Sequence, residues 1–210
     1  MPLGDYAQFF ASQVGGNPDM VMHNGILYTD DYDSVRAVSY LRTDAPLTVT
    51  ARLVPLDRDY KAMRAALAVA SSNGGAKVRE SVVDPLLLKR PQVQWRNHEA
   101  SLDVRELQPI SGTDYSYVLQ EYFVPEAQLE PFVAGMRDVL KAHKVKVANI
   151  SIRHAKADPG TLLAWAREDT FALVIYYRQG VSPSERAAVG DWTRQLIDLA
   201  IAHQGSYYLP

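Results

Sequence analysis

Between Tyr115 and Leu209 the chain alternates two hydrophobic periods, and that alternation leaves few folds open. Tyr115 to Val124 is rich in β-branched and aromatic residues and reads as a strand. Leu129, Phe132, Val133, Met136, Val139 and Leu140 then fall on one stripe of a helix. Val145 to Ile152 returns to alternation, with a bulge placed at Ala148-Asn149, and a short helix is expected from Leu162 to Ala166. Thr170 to Tyr177 is the next strand. Ser182-Pro183-Ser184-Glu185 follows it with an N-cap serine, a first-turn proline and a glutamate three residues after the cap, the signature of a capping box. Val189, Trp192, Leu196, Leu199 and Ala200 form the buried stripe of that helix; Gly205 is expected to stop it in a left-handed conformation before a strand at Ser206 to Leu209. The order is β-α-β followed by β-α-β, the split arrangement of a ferredoxin-like unit.

The first half is less regular. Gly4-Asp5 ahead of Tyr6, Phe9, Phe10 and Val14 predicts a short helix closed by Gly15-Gly16. Met20 to Tyr28, Val35 to Arg42 and Leu47 to Leu53 read as an antiparallel meander that extends the sheet of the second half. Tyr60, Met63, Leu67 and Ala70 have helical spacing, Ser71 to Gly75 is a turn, and a second helix is expected from Lys77 to about Leu88. The expected fold is therefore α+β: one domain over residues 1–210, with a large antiparallel sheet, helices packed on one face and a ferredoxin-like second half.

Charge and composition exclude several roles. With 22 basic and 24 acidic residues the formal charge is −2, so no overall field holds nucleic acid or an anionic membrane. Without cysteine there is no disulfide framework, thiolate metal site or cysteine nucleophile, which fits a cytoplasmic setting. No apolar run reaches the ~20 residues of a membrane span. The five histidines contain no pair at helical metal-ligand spacing, so no metal is expected. Neither a phosphate-cradling glycine loop nor a serine elbow is present.

Two polar clusters remain. Trp95-Arg96-Asn97-His98-Glu99 brings together a guanidinium, an amide, an imidazole and a carboxylate suited to a hydroxylated substrate; Arg96 and Glu99 are its candidate binding residues, against the plain alternative of a surface ion-pair strip. In Asn149-Ile150-Ser151-Ile152-Arg153-His154, strand alternation puts Asn149, Ser151 and Arg153 on one face and Ile150, Ile152 and His154 on the other. Such a face can roof a pocket or meet solvent.

Gln120 to Pro125, a helix, Asn149 to Arg153 with Asp158 downstream, and finally Gly205 to Pro210 resemble the C-terminal region of FAD-linked oxidases of the vanillyl-alcohol-oxidase type, including alditol and sugar-lactone oxidases. The resemblance covers Tyr115 to Pro210 and is vague before it. It implies a substrate-binding cap domain that roofs a flavin, with the FAD bound mainly by a separate N-terminal domain that no segment here resembles. On that view the chain is a fragment whose partners are this FAD domain and a small-molecule alcohol, inactive alone, and the aromatic run Tyr207 to Leu209 continues into further chain. Alditol-oxidase-like enzymes carry a Glu-x-Arg pair on a cap strand; its match is Ser151-Ile152-Arg153, which keeps the arginine and replaces the carboxylate by a hydroxyl. The resemblance makes Arg153 the catalytic candidate, with Ser151, Asn149, Glu121 and His154 around the substrate. The competing expectation is a stand-alone ferredoxin-like module that binds or senses a small ligand.

Overall fold

Six strands among the described residues pair into one wholly antiparallel sheet. They are β1 (Met20–Leu27), β2 (Val35–Leu41), β3 (Tyr115–Pro125), β4 (Lys146–Ala155), β5 (Thr170–Gly180) and β6 (Ser206–Tyr208), in the order β2-β1-β4-β5-β3-β6. The structure, a computed structural model, describes residues 1–70, 72, 75–78, 81, 82, 85, 91–102, 114–162 and 164–209. The helices are α1 (Tyr6–Phe9), which runs on into a π-helical turn over Phe10–Val14, α2 (Lys61–Ala70), α3 (Gly75–Val78), α4 (Arg96–Ala100), α5 (Leu129–Ala142) and α6 (Pro183–Ala202). No helix among the described residues is long and apolar enough to cross a membrane.

The expected α+β class and ferredoxin-like half are both present. β3 and β4 run parallel to each other, joined through α5, and β5 fills the gap between them, while α6 carries the chain back so that β6 adds to the outer edge of β3. The bulge stands where the pattern put it, between Val147 and Asn149 of the β4–β5 ladder. One sheet runs through both halves because β1 pairs with β4 through Gly25–Ile152, Ile26–Ser151 and Leu27–Ile150.

Alternation along the strands decides where the core lies. Phe171, Leu173, Ile175 and Tyr177 of β5, Tyr122 and Val124 of β3, and Ile150 and Ile152 of β4 face α1, α5 and α6, and all belong to a single apolar cluster. α5 contributes Leu129, Phe132, Val133, Met136 and Leu140; α6 contributes Trp192, Leu196 and Ala200. Each large side chain buried this way stabilises the fold by about 1.5–3 kcal/mol. Tyr6, Phe10 and Val14, one helical turn apart, seat the N-terminal helix on the same cluster, with the Tyr6 ring 5.7 Å from that of Phe171.

The capping box is formed. The Ser182 hydroxyl accepts from the Glu185 backbone N–H at 3.3 Å, and a Glu185 carboxylate oxygen accepts from the Ser182 N–H at 3.2 Å. Ser182→Ala is therefore expected to cost about 1 kcal/mol, read as a lower melting temperature; an unchanged melt would show that the cap contributes nothing.

Three local expectations are corrected and a fourth lies mostly outside the described residues. Leu47 to Leu53 is not a third meander strand: Thr48 and Val49 bond to Val93 instead, leaving β2 as the sheet edge. Pro46 and Pro55 bound that segment and offer no N–H to a ladder. Leu162 to Ala166 is not a helix among its described residues, because the Asp158 carboxylate accepts from the N–H groups of Gly160 and Thr161 at 3.0 and 3.1 Å and folds a turn there, with Leu162 fully exposed. The left-handed residue after α6 is Gln204 (φ 60°), while Gly205 is needed for room: a Cβ there would stand 2.3 Å from the Phe123 carbonyl oxygen. The helix expected from Lys77 to Leu88 falls mostly outside the described residues, as do the side chains of Met63, Leu67 and Ala70 on α2.

Candidate active face

The face of the sheet turned away from the core is ordered by register. One cross-strand row reads Arg36, Ile26, Ser151, Val174, Glu121, Tyr208 from β2 to β6. The next holds Val38 beside Asn24 and Arg153 beside Ala172, Phe123 and Ser206; one further step of the β1–β4 register sets Asn24 opposite Arg153. A third row pairs Asn149 with Tyr176 and Leu119. The expected grouping of Asn149, Ser151 and Arg153 is therefore present, and Glu121 shares their face two strands from Ser151, about 10 Å across the sheet.

The floor between these groups is small and apolar. Ala172 and Val174 are buried there, and so is Ser151 at 6% exposure. Arg153 is exposed and Glu121 half-buried; neither has an ion pair or side-chain hydrogen bond among the described residues. The buried Asn24 Oδ1 also has no partner among the described residues. Phe123 closes the β3 side, with the exposed Trp165 ring packed on it at 4.5 Å. The arrangement can hold a small polar molecule over Ala172 and Val174 between a guanidinium, a hydroxyl and a carboxylate.

The structure does not bring every candidate to this face. His154 projects to the core side, as its position in the alternation requires, where its ring lies 4.4 Å from Phe10 and its Nε2 is 2.6 Å from Glu126 Oε1. It is walled off from Arg153 by the sheet itself. Glu126, His154 and Asp169 do gather ligand-type atoms within 4.8 Å of one another. Their capacity is already used, since Asp169 accepts from Lys156 Nζ at 2.7 Å and from the Ala157 N–H at 3.0 Å.

Arg96 and Glu99 sit on α4 at the far, β2 end of the sheet. There the Tyr40 hydroxyl donates to Glu99 Oε1 at 2.9 Å and the Gln94 amide donates to Oε2 at 2.7 Å. Burial and the Glu99 carboxylate push the Tyr40 phenol up to about 12, so it stays a donor at neutral pH. Both residues line a groove that Arg153, Ser151 and Glu121 do not.

Asn24 and Trp165 were not singled out from the sequence. Asn24 was within reach, since Met22, Asn24 and Ile26 alternate on β1 and the amide is the polar member of that face. Trp165 was not, because its place depends on the turn at Asp158 rather than on any period. The chain matches no family model, no curated protein and no solved structure.

Proposed function

We propose that this chain is the substrate-binding cap of an FAD-dependent oxidoreductase of the vanillyl-alcohol-oxidase type, acting on a CH–OH donor in the cytoplasm. The observation that carries the reading is the placement of Arg153, Ser151 and Glu121 on the face turned away from the core, over a floor of Ala172 and Val174. These groups suit the substrate side of a flavin: a guanidinium and a hydroxyl without partners among the described residues, beside a buried amide oxygen in the same condition. They do not suit the phosphates of FAD, for which the chain offers only isolated glycine pairs, so the dinucleotide belongs to another domain.

FAD, when bound, supplies the acceptor for the hydride that leaves the substrate carbon. Arg153 orients the substrate oxygen and stabilises the alkoxide formed as its hydroxyl proton passes to solvent, the charge then leaving with the hydride. The Ser151 hydroxyl both donates to and accepts from the substrate, and Glu121 accepts from a hydroxyl on the opposite side of the floor. Because Ser151 stands where alditol-oxidase-like enzymes carry a carboxylate, the substrate is one that needs a single hydroxyl contact at that point.

The test is spectroscopic. Joined to its FAD-binding domain, the chain is expected to show flavin absorbance that bleaches when an oxidisable alcohol is added without oxygen; expressed alone, it should show none. Flavin retained by these 210 residues alone, or a longer polypeptide that takes up no flavin, would sink the proposal.

A further inference from the structure

The groove at the β2 edge is a separate feature. Its volume is about 720 Å³, within the roughly 300–1,000 Å³ usual for small-molecule sites. One wall is β2 with the chain just after it, and the other is the run from Pro91 to Trp95 with the start of α4. Neither Arg153 nor Ser151 lines it, so its chemistry is independent of any flavin.

Three kinds of group face a ligand in this groove. The first is a fixed acceptor: each Glu99 oxygen already receives one protein donor, from Tyr40 and from Gln94, and each keeps a further lone pair. A carboxylate held from both sides accepts hydroxyl protons without having to order itself on binding. Asp44, also in the lining, is a second acceptor. The second kind is cationic, with Arg42 and Arg96 both lining the groove, exposed and with guanidiniums that make no ion pair or hydrogen bond among the described residues. Two guanidiniums suit a carboxylate, which a planar fork binds bidentately. The third kind is apolar: Met22 and Val38 belong to the floor, and Trp95 presents a ring held in place by its indole N–H on the Thr50 carbonyl at 3.2 Å and by Arg52 at 4.7 Å from its centroid.

A fatty or aryl acid would leave Glu99 and Asp44 facing an apolar body, with their lone pairs desolvated and unmet. A neutral sugar would leave both guanidiniums without an anion. The ligand class that satisfies all three sets carries one carboxylate, several hydroxyls and a C–H face. We infer that the groove lined by Arg42, Arg96, Glu99 and Trp95 is a binding site for a polyhydroxylated carboxylic acid of the sugar-acid type, distinct from the Arg153 face.

The experiment is isothermal titration of the 210-residue chain with D-gluconate, D-glucose and hexanoate as probes. Gluconate is expected to bind saturably, and the neutral sugar and the unhydroxylated acid each at least about tenfold more weakly, since each lacks one charge-assisted set of hydrogen bonds. Arg96→Ala, Arg42→Ala and Glu99→Gln should each weaken gluconate by about tenfold or more while leaving the circular dichroism spectrum unchanged. Absence of saturable gluconate binding overturns the inference. So does equal affinity for hexanoate or glucose, or undiminished binding by all three variants. Because no flavin and no turnover enter the measurement, these outcomes are independent of whether the chain caps a flavoenzyme.

Discussion

Arg153→Ala is expected to lower the turnover of the flavoenzyme carrying this domain by about 10²–10³-fold, the usual loss when one preorganised donor to a developing oxyanion is removed, while leaving the domain folded. The fold should survive because Arg153 is exposed, lies outside the apolar cluster and has no partner among the described residues, and surface changes of that kind stay within about 0.5 kcal/mol. The loss should fall mainly on kcat, because the alkoxide that Arg153 stabilises forms only on the way to hydride transfer and is absent from the bound ground-state alcohol. Arg153→Lys separates charge from geometry: it keeps the cation but not the planar fork, and should recover only part of the rate. Steady-state kinetics on the two variants decide the matter, and an unaltered kcat in Arg153→Ala removes the residue from the site.

The second large effect concerns stability. Gln120 is 4% exposed, and its side chain joins strand β3 to helix α6. Its amide nitrogen donates to the Tyr177 hydroxyl at 3.0 Å and to Thr193 Oγ1 at 2.9 Å, while its oxygen accepts from the Tyr122 hydroxyl at 2.7 Å. Burial raises both tyrosine pKa values, that of Tyr177 to about 12, so the phenols remain neutral and the network carries no charge. Removing one member leaves the others buried and unmet, which costs more than the bonds themselves contributed. Gln120→Ala is accordingly expected to destabilise the domain by about 3 kcal/mol, a fall of roughly 6–12 °C in melting temperature for a chain of this size. Tyr122→Phe, which deletes one donor and leaves the Gln120 amide its other two partners, should cost about 1 kcal/mol. Equal melting of wild type and Gln120→Ala would show that water replaces the network without loss.

Both predictions depend on which side of one sheet a residue occupies, and for Arg153 strand alternation alone settles it. Alternation along Asn149 to His154 separates Ser151 and Arg153 from Ile150 and Ile152 without any knowledge of neighbours, and the structure keeps that division. It also removes His154 from a site shared with Arg153, since a period of two admits no exception within a regular strand. The grouping of Glu121 with Ser151 was not legible. It follows from β5 entering between β3 and β4, which sets Val174 opposite both residues. Arg96 and Glu99 lie together by their spacing in the chain, but their distance from Arg153 is set by β2 being an edge strand, and the expected third meander strand would have hidden that edge.

Local, periodic decisions can be read straight from the chain: the capping box at Ser182, the stripes of α5 and α6, the alternation of β3, β4 and β5, and hence the α+β class. Each rests on interactions between residues a few positions apart, where backbone geometry fixes who meets whom. Tertiary structure alone decided strand order, the fate of Leu47 to Leu53 and of Leu162 to Ala166, the Asn24–Arg153 neighbourhood and the β2 groove. Those depend on pairings between distant segments competing for the same hydrogen bonds and the same apolar surface, and the winner of such a competition is written in no single stretch of the chain.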